Sequence, residues 1–191
     1  MKFARIPTSE ELEQELKREK YKTKYHKTLR STIFILITAA AAAVLVAMLW
    51  LPVLQIYGSS MTPTLEEGQI VVSLKDGKYE AGDVIAFYYG NKLLVKRYIA
   101  GPGAWVDIQP DGTVTVDGRE LEEPYLLEKA LGNCDLTLPY QVPEGKYFLM
   151  GDHRETSIDS RHSSVGCIAS DAIVGKILYR IWPLETAGPI F

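Results

Sequence analysis

The 191 residues suffice for one packed domain with an appendage, and their 47% hydrophobic content is distributed very unevenly. The net charge of −3 divides into +4 before Ile33 and −7 from there on, and no segment is recognisable as a DNA-binding element. The two cysteines and three histidines lack metal-ligand spacing, so neither a metal nor another cofactor is expected.

Residues 1–31 read as a basic, helical arm. In "TSEELEQELKREKYK" the pair Thr8 and Glu11 has capping-box register, with acids in the first turn and bases after them. This predicts a solvated helix with no site on it. The following run "KREKYKTKYHKTLR" could suit nucleic acid or a membrane surface, but its place directly before an apolar segment makes topology the simpler account.

Residues 32–54 read as a transmembrane signal anchor. From Ile33 to Leu51 the sequence "IFILITAAAAAVLVAMLWL" has nineteen residues, no charge and one threonine, which meets the length needed to cross a hydrocarbon core. Trp50 and Tyr57 suit the far interface. A cleaved signal peptide fits poorly, because the charged leader is long and "LPVLQIYG" offers no small-x-small exit site. The positive-inside bias then keeps the N-terminus in the cytoplasm and puts the rest of the chain outside.

Residues 58–191 have the punctuation of antiparallel β structure. Short apolar or alternating runs recur as "QIVVSL", "VIAFYY", "KLLVKRYIA", "AWVDI", "TVTVDGREL", "KYFLMG" and "AIVGKILYRIW", with Gly, Pro, Asp and Asn between them. Asp117-Gly118 is a strong hairpin signal. The stretch from Leu121 to Gly145 reads as a longer, less regular excursion. The expected fold is therefore mainly β: an antiparallel sheet domain behind a single N-terminal transmembrane helix. Cys134 and Cys167 permit one disulfide without requiring it.

The chemistry points to "YGSSMTPTL", Tyr57–Leu65, where two serines adjoin each other. A serine hydroxyl is a weak nucleophile until a neighbour takes its proton. Of the histidines, His26 falls on the wrong side of the membrane and His153 and His162 lie far along the chain, so a neutral lysine is the alternative base. Lysine titrates near 10.4 in water and serves only if apolar surroundings lower that value. Lys75, Lys78, Lys92, Lys129 and Lys146 sit beside turn residues. Lys96 lies mid-run in "LLVKRYI", with Leu94 and Tyr98 on its own strand face, and Lys176 in "IVGKILY" is the second candidate. Either could instead be an edge lysine reaching to water.

These residues resemble a known family. "SMTPTL", "GDVIAF", "KRYIAGPG" and "GDHRETSIDSR" are similar, in order, to four boxes of the bacterial type I signal peptidases, and the anchor is similar too. The resemblance implies Ser60 as nucleophile, Lys96 as general base in place of Lys176, Ser157 as a hydroxyl holding the lysine amine, and Asp159 with Arg161 as a structural charge pair. It implies acyl transfer on secretory preproteins, cleaved after small residues at the outer face of the bacterial cytoplasmic membrane, with the lipid bilayer as the other partner. Some members carry a serine two positions before the nucleophile as an oxyanion donor. Gly58 stands there, which leaves a backbone N–H near Gly58, the Ser59 side chain, or no second donor. His153 replaces a usual asparagine and suits local hydrogen bonding. Ser60 follows Leu51 closely enough to lie within roughly 30 Å of the span's end. Two alternatives remain open, a related Ser–Lys peptidase with a dedicated substrate and a tethered β domain that binds without cutting.

Overall fold

A computed structural model of the chain describes residues 8–75 and 77–190, except the side chains of 47–50. Lys2 and Arg5 of the expected arm, the Trp50 side chain and the last residue of the exterior segment lie outside the described residues. The chain divides into two compact units, Met1–Leu49 and Trp50–Phe191.

Helix α1, Ser9–Trp50, runs for 42 residues. Its start is the expected capping box: the Thr8 N–H donates to Glu11 Oε2 at 3.0 Å, and the Glu11 N–H donates to Thr8 Oγ1 at 3.4 Å. Within the apolar half, Thr38 donates its hydroxyl to the Phe34 carbonyl at 2.8 Å, which satisfies the one polar side chain of that run. Its apolar window reaches a mean hydropathy of 2.1 with no residue buried, so by length and composition the helix can cross a membrane. Val53 and Leu54, placed at the end of the span from the sequence, lie instead in strand β1, Val53–Gln55.

The second unit is built on antiparallel strands. Strands β2 (Ile70–Leu74), β3 (Val84–Tyr89), β4 (Lys92–Ala100), β5 (Trp105–Ile108), β6 (Val114–Val116), β7 (Arg119–Glu120), β8 (Tyr140–Gln141), β9 (Lys146–Met150), β10 (Ile168–Ala169), β11 (Ile173–Trp182) and β12 (Gly188–Pro189) follow in order. One sheet has the order β1-β2-β11-β3-β4-β9-β10 with β12 beside β11, and a smaller one has the order β7-β6-β5-β8. Asp117 and Gly118, with φ of 51° and 76°, turn the chain between β6 and β7 as the type I′ signal requires.

Alternation along β3 and β4 sends side chains to two cores. Val84, Ala86, Leu93 and Val95 pack with Ile56, Met61, Leu65, Val71 and Ile177 on one face. Ile85, Phe87, Leu94 and Tyr98 pack with Leu149 and Ile168 on the other. The small sheet closes a third core around Val106, Ile108, Val114, Phe148 and Met150. Leu121–Gly145 contains only β8 as regular structure, in keeping with its irregular sequence.

Candidate active site

The segment after β1 turns sharply at Gly58, whose φ of 81° suits a residue without a side chain. The Thr62 N–H and hydroxyl both return to the Ser59 carbonyl, at 3.1 and 2.8 Å. Met61 within that turn and Leu65 after it are buried and fasten it to the core. Ser60 is thereby held in the lining of a cleft of about 40 Å³. The cleft is lined by Leu54–Gly58, Ser60 and Met61 from one side and by Leu93–Lys96 from the other. Gly58 lines it; Ser59 does not, and is exposed.

Both walls of the cleft carry unpaired strand edges. Strand β4 pairs with β3 through Lys92–Arg97, but with β9 only from Arg97 to Ala100. Among the described residues the other edge of Leu93–Lys96 therefore has no strand beside it. Strand β1 ends the sheet on the opposite side. An extended peptide fits between two such edges.

Lys96 is only 5% exposed. Burial is the main cause that pulls its amine down to about 8; Arg161 adds to the fall, while Asp159 and Asp152 oppose it. Its Nζ donates to Ser157 Oγ at 2.8 Å. That hydrogen bond goes to Ser157 and not to Ser60, although Ser60 lines the same cleft. Catalytic hydrogen bonds in unliganded sites are commonly completed only when substrate binds.

The loop 151–161 holds Ser157 in place. The Ser157 N–H donates to the His153 carbonyl at 3.0 Å, and the His153 N–H donates to the Ser60 carbonyl at 3.1 Å. Gly151 passes so close that a Cβ there would meet Ser157 and lie 2.6 Å from the Ser60 carbonyl oxygen. Asp159 and Arg161, both buried, form a two-pronged pair with Nε–Oδ1 and Nη2–Oδ2 each at 2.9 Å. Burial alone would raise the Asp159 carboxyl, but Arg161, the Gly151 N–H and Ser157 hold it below the ordinary range. The His153 ring bonds locally to Thr156 Oγ1 at 2.9 Å.

Two buried charge pairs fall outside the candidates that the sequence offers: Arg154 with Glu123 and, within the site, Arg97 with Asp152. Arg97, next to Lys96, lies fully buried and donates through Nε and Nη2 to Asp152 at 2.8 and 2.6 Å. Thr64 Oγ1 donates to Asp152 Oδ2 at 2.5 Å and accepts from Arg97 Nη2 at 3.1 Å. These contacts tie the serine turn, the lysine strand and the 151–161 loop together. The available signal was an arginine and an aspartate inside the two boxes that also carry Lys96 and Ser157.

The other candidates separate from the site. Lys176 pairs with Asp83 at 2.5 Å, and Cys134 and Cys167 are free thiols. No group of three or more potential metal ligands occurs among the described residues.

Residues 29–182 match the family model described as signal peptidase, peptidase S26. Signal peptidase IB of Staphylococcus aureus strain COL is 39% identical over 151 residues, covering 68% of this chain and 77% of that protein. Signal peptidase I of Bacillus amyloliquefaciens is 37% identical over 165 residues, covering 79% and 83%. A crystal structure of a signal peptidase I from Enterococcus faecalis V583 is 30% identical, covers 52% of this chain and 96% of its own, and has a TM-score of 0.43. With four-fifths of its length inside the family match, the chain belongs to the signal peptidases of the S26 type and is a serine peptidase, a hydrolase.

Proposed function

We propose that this protein is a membrane-anchored endopeptidase that removes signal peptides from exported preproteins, with Ser60 as nucleophile and neutral Lys96 as general base. The carrying observation is the buried amine of Lys96, lowered to about 8, on a residue that lines the same cleft as Ser60. A lysine in that state can accept a proton near neutral pH, whereas a solvated one cannot.

A preprotein lies extended between the free edges at Gln55–Gly58 and Leu93–Lys96, held by main-chain hydrogen bonds. Lys96 takes the proton of Ser60 as its oxygen attacks the scissile carbonyl, and the leaving amine receives it. Lys96 then activates water, which releases the acyl group and restores Ser60. The Ser60 N–H and a backbone N–H at Gly58 receive the oxyanion. Ser157 fixes the amine, and the pair Asp159–Arg161 keeps the loop that carries Ser157 in shape. At about 40 Å³ the cleft is small, which supports cleavage after small residues such as alanine.

Helix α1 acts as the anchor, with the basic run before Ile33 on the cytoplasmic side and the β unit outside the cytoplasmic membrane. Purified wild type is expected to cut a precursor with an Ala-x-Ala site, and Ser60→Ala to be close to inactive; undiminished cleavage by that variant overturns the nucleophile. The rate is expected to fall about tenfold per pH unit below about 8, as Lys96 becomes protonated. A rate independent of pH from 6 to 9 in single-turnover kinetics contradicts a neutral lysine base.

A further inference from the structure

Lys96 borders a second depression. A groove of about 630 Å³ is lined by Tyr89, Leu94, Ile158 and Val165, with Asn91, Lys92 and Lys96 also along it. Side chains along a strand alternate between faces, and β4 divides accordingly. Leu93 and Val95 pack with Ile56 and Met61, which line the small cleft, while Leu94 and Val165 pack on the opposite face with Phe87 and Leu149.

A peptide added to the free edge of Leu93–Lys96 takes the same pleat. Two residues two positions apart then face one side, and the residue between them faces the other. In the peptidase reading proposed above, on which this step rests, the two small residues of a small-x-small site face the cleft of about 40 Å³. The middle side chain is thereby directed to the face of Leu94.

The far wall of the groove is well suited to an apolar side chain. Ile158 is 57% exposed between Ser157 and Asp159, which are both 1% exposed and fix its outward direction. The Tyr89 hydroxyl donates to the Ser164 carbonyl at 2.5 Å, which holds its ring at the rim. We infer that this groove receives the side chain of the second residue before the scissile bond and makes the enzyme favour a leucine- or phenylalanine-sized apolar group there. That residue is the unspecified one of the small-x-small pattern, so the groove adds a determinant that the pattern omits.

The test uses the full chain in detergent micelles and peptides that differ only in the middle residue, with Ala-Leu-Ala, Ala-Phe-Ala and Ala-Ser-Ala sites. Wild type is expected to cut the leucine peptide with kcat/KM about tenfold above the serine peptide, the difference residing in KM. Ile158→Asp brings that ratio close to one, and Ile158→Trp, which fills the groove, inverts it. Because the readout is a ratio within each protein, a general loss of activity does not mimic it. Equal rates on the leucine and serine peptides by wild type overturn the groove alone, as does an unchanged ratio in both variants. Failure of wild type to cut any of the peptides overturns the peptidase reading and the groove with it.

Discussion

Lys96 on β4 and Lys176 on β11 have nearly interchangeable sequence surroundings, yet the fold treats them in opposite ways. Both lie inside apolar strand runs, Lys96 with Arg97 beside it. Lys96 is 5% exposed and meets a neutral hydroxyl, Ser157. The Lys176 side chain is 34% exposed and meets the carboxylate of Asp83. Burial without a directly bonded counter-ion favours the neutral amine of Lys96. In the proposed mechanism the basic catalyst is therefore defined by what the strand's neighbours place beside the amine, and an apolar run alone does not identify it.

The sharpest way to break this contrast is paired substitution. Lys96→Ala is expected to lower kcat on a precursor by about 10³-fold or more, and Lys176→Ala to leave it within about threefold. Comparable losses in both variants would remove the distinction. The next effect concerns the hydroxyl partner. Ser157→Ala leaves the amine buried but free to swing, and is expected to cost about 10- to 100-fold in kcat with little change in KM. Full activity in that variant would mean that the hydrogen bond at 2.8 Å does not position the base.

Stability supplies the smallest test, and its sign follows from the direction of the shift. The Lys96 amine is lowered in the folded state from 10.5 to about 8, so the unfolded chain binds the proton more tightly. The resulting penalty is fully present below about pH 8 and is relieved as pH rises towards 10.5. Lys96→Met removes it and is expected to stabilise the β unit at pH 7 by up to about 3 kcal/mol, measured by denaturant unfolding. The partly exposed pair of Lys176 with Asp83 contributes at most about 1 kcal/mol, so Lys176→Met should change little. A destabilised Lys96→Met protein would show that packing of the lysine stem outweighs the cost of its burial.

The elements that were legible are those whose side chains alternate over several residues. The runs "VIAFYY" and "KLLVKRYIA" coincide with β3 and β4 to the residue, because each strand is long enough to display its two faces. Strands β8, β10 and β12 have two residues each, too few for any periodicity, and exist because a longer strand lies beside them. Strand β1 was concealed by apolar residues continuous with the helix. Of the candidate site residues, Ser60, Lys96 and Ser157 are recognisable from motifs and lie around one cleft and its loop, whereas no local pattern distinguishes Arg97 with Asp152. A charged residue in a strand looks alike in sequence whether it meets water or a buried partner 55 positions away.

By itself, the sequence determined a helix long and apolar enough to span a bilayer, a β-rich unit after it, and the ordered motifs that carry a serine and a lysine. Those are local properties, written in runs of neighbouring residues. Only the tertiary structure decided which lysine loses its water, where two strand edges stay open, and that Gly58 lines the cleft while Ser59 does not. Desolvation and edge exposure depend on segments far apart in the chain, so no local pattern can encode them.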